Sequence, residues 1–399
     1  MKYIAVLGRL SDISFAELQA QFGESVHRIS SNLAVFESKN DPDINRFGGV
    51  LKFGKLLESS PIDAIEETCK EGKITLGVSD YSKNANPKKA FSEALKIKKI
   101  LARKGHSVRV VSNDGDAILS TATVHHNQLG EKPRHIELIK FRNEYYLGLG
   151  TQNITAYARR DQARPKRDAK VGMLPPKLAQ ILINLCGPLK ANSVILDPFC
   201  GTGVVLQEAT LMGYLPLGSD LNPHMVDYTK TNLTWLLKGD YSLHFPKVSL
   251  ASQANRSKID PEECIKEGDA TDFKWDGKID AVACEIYLGS PMSQPPAEIK
   301  LKTEKQICKE TLLGFLKNIA PQLKKDTPLT LAIPAWLRPD TSSEKNLIKT
   351  PAGLYSCLNV LDEIENLGYN VMKQTGSNNL LYYRNGQIVA REIIVLRKK

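Results

Sequence analysis

The feature that most constrains this chain is a glycine-containing turn directly after an apolar run. The run 194–196 predicts a buried parallel strand, and the turn 197–203, Asp-Pro-Phe-Cys-Gly-Thr-Gly, lets the backbone approach a ligand closely. A helical segment, 204–212, a second short strand, 215–218, and the acid Asp220 follow. This order is the one that sets a nucleoside's ribose hydroxyls against the acid. The third glycine of the dinucleotide fingerprint is missing, which argues against a nicotinamide cofactor.

Composition indicates a reduced, globular, cytoplasmic protein of two or three domains. The chain has 399 residues, 42% of them hydrophobic, yet no run approaches the ~20 apolar residues that a membrane span needs. The first apolar run stops at Arg9, which fits a strand better than a secretory signal. The 7 cysteines are scattered without a Cys-x-x-Cys pair, which argues against zinc and against a disulfide framework. We therefore expect no metal and no membrane anchor.

The charge is positive and unevenly distributed. Net charge is +10, and residues 1–168 carry 27 Lys+Arg against 20 Asp+Glu, a net +7. The excess therefore lies mainly in the half without the glycine turn. A polyanion such as RNA is the partner that this pattern predicts, because neutralised phosphates release counterions.

Two local clusters are the candidate RNA-binding residues. The first lies in a helical segment with apolar periodicity and the second in a stretch with little such periodicity. Together they contain Lys88, Lys89, Lys96, Lys98, Lys99, Arg103 and Lys104, followed by Arg159, Arg160, Arg164, Lys166, Arg167 and Lys170. The residues predicted to contact RNA are Lys88, Lys89, Arg103, Lys104, Arg159, Arg160, Arg164, Lys166 and Arg167.

The pattern of elements predicts an α/β protein. Residues 1–60 and 61–150 alternate short strands and helices in an α+β pattern, and in the first helix Ser14 and Glu17 have the spacing of a capping box. Residues 151–170 are polar and basic, which predicts a linker. From 171 to 399 strands and helices alternate, which predicts a doubly wound, mostly parallel sheet. Asn385-Gly386 predicts a terminal antiparallel hairpin.

The turn 197–203 is similar to motif I of S-adenosylmethionine-dependent methyltransferases that act on exocyclic amines. The whole chain resembles the THUMP-domain tRNA guanine-N2 methyltransferases, which modify guanosine at position ten of tRNA. Segment 170–179, which contains Leu174, is similar to a family element that helps bury the cofactor. The resemblance implies a ferredoxin-like domain over 1–60, a THUMP RNA-binding domain over 61–150 and a Rossmann-like methyltransferase domain over 171–399. It implies tRNA as partner and leaves any protein partner undefined.

The resemblance also implies a set of cofactor contacts. Asp197 orders the turn or accepts from the cofactor's amino group, and the N–H groups of 199–203 bind its carboxylate at a helix N-terminus. Asp220 accepts from both ribose hydroxyls, and Asp269 accepts from the adenine amine. The full predicted S-adenosylmethionine site is Leu174, Asp197, Pro198, Phe199, Cys200, Gly201, Thr202, Gly203, Asp220, Leu221, Asn222, Asp269 and Ala270.

The predicted catalytic residues follow the fourth strand, 279–284. Related enzymes carry Asp-Pro-Pro-Tyr there, to orient the amine and stack on an extruded base. This chain has Glu285-Ile286-Tyr287-Leu288-Gly289. Glu285 keeps the acceptor chemistry with one more methylene, and Tyr287 supplies an aromatic face from a shifted position. Both prolines are absent, so the φ restriction that shapes the loop is lost.

Three functions remain open at this point. The first is methyl transfer from S-adenosylmethionine to N2 of a tRNA guanosine. The second is a DNA or rRNA amino-methyltransferase, since the two motifs are shared. The third is a catalytically silent tRNA-binding protein that retains the methyltransferase fold.

Overall fold

A computed structural model describes residues 1–70, 72–112, 115–168, 173–239, 254–339, 342, 344, 347–373 and 380–399. The chain forms two compact units, residues 1–155 and 156–399. Within the described residues, no helix is long and apolar enough to cross a membrane.

The first unit is built on one mixed sheet. Its elements are β1 (Lys2–Leu7), α1 (Ser11–Phe22), β2 (His27–Arg28), β3 (Leu33–Glu37), β4 (Val50–Leu56), α2 (Pro61–Thr68), β5 (Ile74–Asp80), α3 (Pro87–Arg103), β6 (Val108–Val110), α4 (Thr121–His126), β7 (His135–Phe141) and β8 (Glu144–Thr151). The eight strands are ordered β2-β3-β1-β4-β8-β7-β5-β6. β4 pairs with β8, Gly54 facing Gly148, so residues 1–60 and 61–150 share this sheet. Their division into ferredoxin-like and THUMP-like domains stays a prediction.

The predicted capping box in α1 is wrong. The helix begins at Ser11, so Ser14 lies inside it and is buried. Its hydroxyl donates to the Gly49 carbonyl (2.6 Å), and the Glu17 carboxylate accepts from the N–H groups of Gly48 (2.9 Å) and Gly49 (2.8 Å). The two polar side chains therefore hold the chain that enters β4, and their spacing serves a tertiary contact.

The second unit alternates strands and helices. Its elements are most of α5 (Ile154–Gln162), then α6 (Pro176–Leu185), β9 (Val194–Asp197), α7 (Val204–Leu211), β10 (Leu215–Asp220), α8 (Pro223–Lys238), α9 (Pro261–Cys264), β11 (Ile265–Glu267), β12 (Ala281–Glu285), α10 (Glu298–Ile319), β13 (Pro328–Arg338), β14 (Ile348–Thr350), β15 (Gly353–Ser356), α11 (Leu361–Asn366), β16 (Tyr369–Val371), β17 (Leu380–Tyr382) and β18 (Val389–Lys398).

The sheet of the second unit confirms the predicted α/β class. Its strands are ordered β11-β10-β9-β12-β13-β15-β14, with β18 also paired to β13. β9 is parallel to both β10 and β12, so the strand order reverses at β9, the place where doubly wound folds bind ligands. Val282 and Cys284 pack with Phe315 of α10 in one core. On the opposite face, the thiol of Cys186, just after α6, contacts the Thr330 hydroxyl.

The C-terminal strands confirm the predicted hairpin, and the preceding linker prediction is wrong. β17 pairs antiparallel with β18, Tyr382 facing Arg391, across the turn that contains Asn385-Gly386. Residues 151–170, predicted as a linker, instead contain the whole of α5. Two of its residues, Tyr157 and Arg160, are buried, so this segment contributes to the core of the second unit.

Candidate active site

The turn between β9 and α7 has a backbone that requires its glycines. Gly201 and Gly203 have φ values of 52° and 80°, in the left-handed region that favours glycine. A Cβ at Gly203 would lie 2.8 Å from Cγ2 of Thr229, whereas a Cβ at Gly201 would meet only the Phe199 carbonyl oxygen, at 4.0 Å. The turn therefore packs closely on one side and has open space at Gly201.

Most N–H groups of the turn take part in hydrogen bonds within the protein. Four N–H groups already donate inside the protein: Phe199 to Asp197 Oδ1 (3.2 Å), Cys200 to the Ser219 carbonyl (2.9 Å), Gly201 to Asp220 Oδ2 (2.8 Å) and Gly203 to the Cys200 carbonyl (2.7 Å). Binding of a cofactor carboxylate by the amides of 199–203 stays a prediction. A ligand would meet the turn at the open space beside Gly201.

Two residues of α8 support the turn, and sequence reasoning missed both. Thr229 Oγ1 donates to the Gly201 carbonyl (2.7 Å). Asn232 Nδ2 donates to the Thr202 carbonyl (2.9 Å) and to the Lys166 carbonyl (3.0 Å), and its Oδ1 accepts from the Lys166 N–H (2.9 Å). No local motif identifies these residues, because their partners lie about 30 and 66 positions away in the chain.

Three carboxylates end three neighbouring strands at the same edge of the sheet. They belong to Asp197 of β9, Asp220 of β10 and Glu285 of β12. Burial raises the pKa of Asp197 well above its ordinary value, and the charges of Asp220 and Glu285 raise it further. Burial also raises the pKa of Asp220, although hydrogen bonds from the N–H groups of Asn222 and Gly201 oppose the rise. This edge therefore favours a ligand that carries positive charge.

The residues around Asp220 leave an apolar surface exposed. Its Oδ1 accepts from the Asn222 N–H (2.9 Å), and the Asn222 side chain in turn caps α8 by accepting from the His224 N–H (3.0 Å). Leu221, between them, is 68% exposed. A carboxylate oxygen can accept more than one hydrogen bond, so Asp220 retains acceptor capacity beside an accessible apolar side chain.

The remaining predicted cofactor residues are mostly internal. Asp269 Oδ1 accepts from the N–H (2.8 Å) and hydroxyl (2.7 Å) of Thr271, and the Ala270 carbonyl accepts from Asn318. Ala270 and Leu174 are buried, as are Pro198 and Cys200. Their contact with a cofactor stays a prediction. Of the predicted sealing element, residues 170–172 lie outside the described residues.

Glu285 has a partner that the sequence did not reveal. Its Oε1 accepts from Nε of Arg391 at 2.7 Å, with side chains 16% and 8% exposed. Glu285 therefore has a structural contact in addition to its predicted role as acceptor for the amine. Arg391 lies 106 positions away, in β18, so only the sheet topology brings the two residues together.

The loop after β12, which carries prolines in related enzymes, is held here by a carboxylate from α10. Glu304 of α10 is buried; its Oε2 accepts from the Ser290 N–H (3.0 Å), and its Oε1 accepts from the Ser290 hydroxyl. A Cβ at Gly289 would lie 2.7 Å from Glu304 Oε2. Ile286 is buried, whereas Tyr287 is 45% exposed. The loop thus presents Tyr287 outward while Glu304 holds its far end.

The first basic cluster forms an exposed stripe on α3. Lys88, Lys96, Lys99 and Arg103 are exposed, and at 3.6 residues per turn they fall within about 80° of one another and span about 22 Å. The opposite side of α3 is buried. Lys89 is also exposed, and Lys104 pairs with Glu66 at 2.6 Å.

The second basic cluster divides into exposed and buried residues, which corrects two predictions. Arg159, Lys166 and Arg167 are exposed. Arg160 instead pairs with Glu208 at 2.6 Å, with side chains 4% and 1% exposed, and Arg164 is buried as well. Both were predicted to bind RNA, and their burial removes them from that surface. Arg159 and Arg160 are adjacent in the sequence, but on helix α5 one side chain is exposed and the other is buried.

Within the described residues, no group of three or more His, Cys, Asp or Glu side chains could hold a metal ion.

Comparisons with known proteins show what this chain is similar to. Residues 164–310 match the family model UPF0020, described as the RMKL-like methyltransferase domain. A tRNA (guanine(10)-N2)-dimethyltransferase of Methanothermobacter thermautotrophicus is 30% identical to this chain over the matched segment. That segment covers 44% of this chain and 44% of the relative, less than half of each. One of Pyrococcus abyssi is 24% identical over 74% of this chain and 80% of the relative. The crystal structure of TrmN from Thermus thermophilus aligns over 100% of both chains at 14% identity, with a TM-score of 0.44.

The glycine turn, the strand-end carboxylates and the family match define an S-adenosylmethionine-dependent methyltransferase domain. The match of residues 164–310 to a methyltransferase domain and the names of the similar relatives, tRNA (guanine(10)-N2)-dimethyltransferases, both support the predicted family. The THUMP-like character of 61–150 stays a prediction.

The neighbours Arg159 and Arg160 should differ sharply in their effect on stability. Arg160→Met removes the ion-pair partner of the buried Glu208 carboxylate, so we expect the free energy of unfolding to fall by about 3–5 kcal/mol. Arg159→Met, the matched control at an exposed position, should change it by less than about 0.5 kcal/mol. Urea unfolding followed by circular dichroism measures both. Equal losses in the two variants would contradict the assignment of Arg160 to the core.

Asp197→Asn should stabilise the protein increasingly as pH rises. The raised pKa means that the folded state favours the protonated carboxyl, so ionisation costs stability from about pH 4 upward, until the pH passes the folded-state pKa. Asparagine keeps an oxygen for the Phe199 N–H and cannot ionise. At pH 8 we expect a gain of about 1 kcal/mol or more, since a tenfold change in protonation is worth about 1.4 kcal/mol.

Urea unfolding at several pH values tests this expectation. Asp227→Asn is the control, because Asp227 is exposed on α8 and should give a curve parallel to wild type. If the Asp197→Asn curve also runs parallel to wild type between pH 5 and 8, the electrostatic account of this site is wrong.

Proposed function

We propose that this protein transfers a methyl group from S-adenosylmethionine to the exocyclic N2 of a guanosine in tRNA, with position ten as the expected nucleotide. The observation that carries the proposal is Glu285 at the end of β12, beside the Asp197 and Asp220 carboxylates. The names of the relatives support the choice of nucleotide.

The residues present fit the cofactor. S-adenosylmethionine supplies an electrophilic methyl group on a cationic sulfonium, and it also carries an ammonium group. The strand-end carboxylates complement that positive charge, and Asp220 has acceptor capacity for ribose hydroxyls. The space at Gly201 would be occupied by any larger residue, and the exposed Leu221 offers an apolar contact. Asp197 would interact with the ammonium group.

Glu285 would orient the acceptor amine. One carboxylate oxygen is bonded to Arg391, and the other can accept a hydrogen bond from the N2 amino group. Holding the amine in line with the methyl group is the main requirement of this reaction. In the transfer, the N–C bond would form as the sulfonium S–C bond breaks and leaves a neutral thioether. The nitrogen would gain positive charge, which the adjacent Glu285 carboxylate would stabilise, and would then lose a proton to water. Tyr287, half-exposed on the same loop, would stack on the extruded base.

The exposed stripe on α3 supports tRNA as the substrate. Its four basic residues extend about 22 Å along one side of a helix, which matches a phosphate backbone better than a small molecule. Arg159, Lys166 and Arg167 add positive charge in the second unit.

A second candidate function is a tRNA-binding protein without transferase activity. The Glu285–Arg391 ion pair favours it, because an arginine next to the acceptor carboxylate competes with the amine for that group. A labelled-methyl assay on unmodified tRNA distinguishes the two: transfer supports the enzyme, whereas tight tRNA binding without transfer supports the binding protein.

Glu285→Gln should lower the rate of methyl transfer by an order of magnitude or more. The loss corresponds to one positioned hydrogen bond in the transition state, about 2.7–4 kcal/mol at most. Cofactor affinity by calorimetry should stay within about threefold of wild type, because the variant keeps the size of the side chain. Glu310→Gln, at a position on α10 whose carboxylate bonds Gln306, serves as control. Unchanged transfer by Glu285→Gln would reject Glu285 as the amine acceptor.

The stripe on α3 should contribute to tRNA affinity in a salt-dependent way. In the double variant Lys96→Gln, Lys99→Gln we expect weaker binding and a salt slope reduced by about 0.7–0.9 for each phosphate that is no longer neutralised. The double variant Lys39→Gln, Lys132→Gln removes the same charge from other exposed positions and should bind nearly as wild type. Filter binding between about 50 and 200 mM salt, the range over which affinity for a polyanion changes strongly, measures both. Equal losses would mean that net charge alone governs affinity.

A further inference from the structure

The ion pair at the end of β12 is built across a strand. Glu285 faces Ala332 of β13, Ala332 faces Ile393 of β18, and Arg391 lies two residues from Ile393 toward the ligand edge of the sheet. The small Ala332 side chain lets the carboxylate reach over β13 to the guanidinium, at 2.7 Å. Both residues are therefore held by the central strands of the sheet, which makes the pair a rigid feature of the site.

The Glu285–Arg391 ion pair uses one nitrogen of the guanidinium and one oxygen of the carboxylate. It joins Nε of Arg391 to Oε1 of Glu285. Among the described residues, neither the Nη groups of Arg391 nor Oε2 of Glu285 has another partner, and none of these atoms is both buried and unsatisfied. A guanidinium presents five N–H donors and a carboxylate about four lone-pair sites. The pair therefore presents a donor and an acceptor side by side.

That juxtaposition matches the Watson–Crick edge of guanine. Guanine offers the O6 acceptor next to the N1–H and N2–H donors, whereas adenine offers an amino donor at position 6 next to the N1 acceptor. An extruded base is commonly recognised through hydrogen bonds to this edge. Adenine in the same place would bring its six-amino donor against the guanidinium donors and its N1 lone pair against the carboxylate. Both pairs of groups would then lack a hydrogen bond, which is strongly disfavoured.

We propose that Arg391 is a specificity-determining residue that donates to guanine O6 while Glu285 accepts from N1–H and N2–H. The inference rests on the proposed function. It explains how the enzyme would select guanine over a purine that carries an amino group at position 6. Arg391 also neutralises Glu285 beside Asp197 and Asp220, so its test needs a readout that a purely electrostatic role would not change.

The test compares two acceptor bases in the same tRNA. One tRNA carries guanosine at the methylated position and the other carries 2,6-diaminopurine riboside, which retains the N2 amine but replaces O6 by an amino donor and N1–H by an acceptor. For wild type we expect kcat/KM to favour guanosine by about 10- to 100-fold. Arg391→Lys keeps the positive charge but loses the planar donor fork. It should reduce the guanosine rate far more than the diaminopurine rate, so that the ratio falls toward unity.

Arg397→Lys, on the same strand and bonded to the carbonyls of Asp326 and Cys186, is the matched control and should leave the ratio unchanged. Equal wild-type rates on the two bases overturn the inference while leaving the proposed function intact, and this comparison needs no variant. An unchanged ratio in a folded Arg391→Lys protein also overturns it. Absence of transfer to the guanosine tRNA by wild type overturns the proposed function, and this inference with it.

Discussion

The constraint on which this structure depends is the convergence of three carboxylates at the ends of parallel strands. β9 pairs with β10 on one side and β12 on the other, and each strand ends in an acid. Burial and mutual repulsion make that charge costly, as the raised pKa values of Asp197 and Asp220 indicate. Backbone N–H groups of the turn and Arg391 reduce the cost. The remaining negative potential is what suits the edge to a cationic cofactor.

The turn and the loop that flank these acids are both held from outside their own sequence. α8 supports the glycine turn through the Thr229 hydroxyl and the Asn232 amide. α10 supports the loop after β12 through Glu304, which bonds both the N–H and the hydroxyl of Ser290. The second support accounts for a loop without the two prolines of related enzymes, because a buried bidentate carboxylate restricts the backbone as well. Positioning in this site is therefore supplied by helices packed on the sheet.

Basic residues that are adjacent in the sequence have different roles in the fold. Arg160 stabilises the second unit by pairing with the buried Glu208, whereas Arg159 faces solvent. On α3 the helical repeat has the opposite effect and aligns residues that are far apart in the sequence, such as Lys88 and Arg103, into one stripe. Charge density along the chain therefore predicts which region would meet a polyanion, and the helix period selects which of its residues are exposed.

The sequence by itself determined the α/β class, the order of strands around the glycine turn, the terminal hairpin and the strand-end acids. These follow from local rules: apolar runs predict strands, glycines mark the turn, and carboxyl ends of parallel strands meet at one edge. Tertiary structure alone decided that the turn's amides are already bonded, that Arg160 is buried and that Arg391 and Glu304 belong to the site. Apart from two short-range amide bonds within the turn, these contacts join residues from 14 to 106 positions apart in sequence. Their meeting is set by sheet order and helix packing, which leave no local pattern in a single sequence.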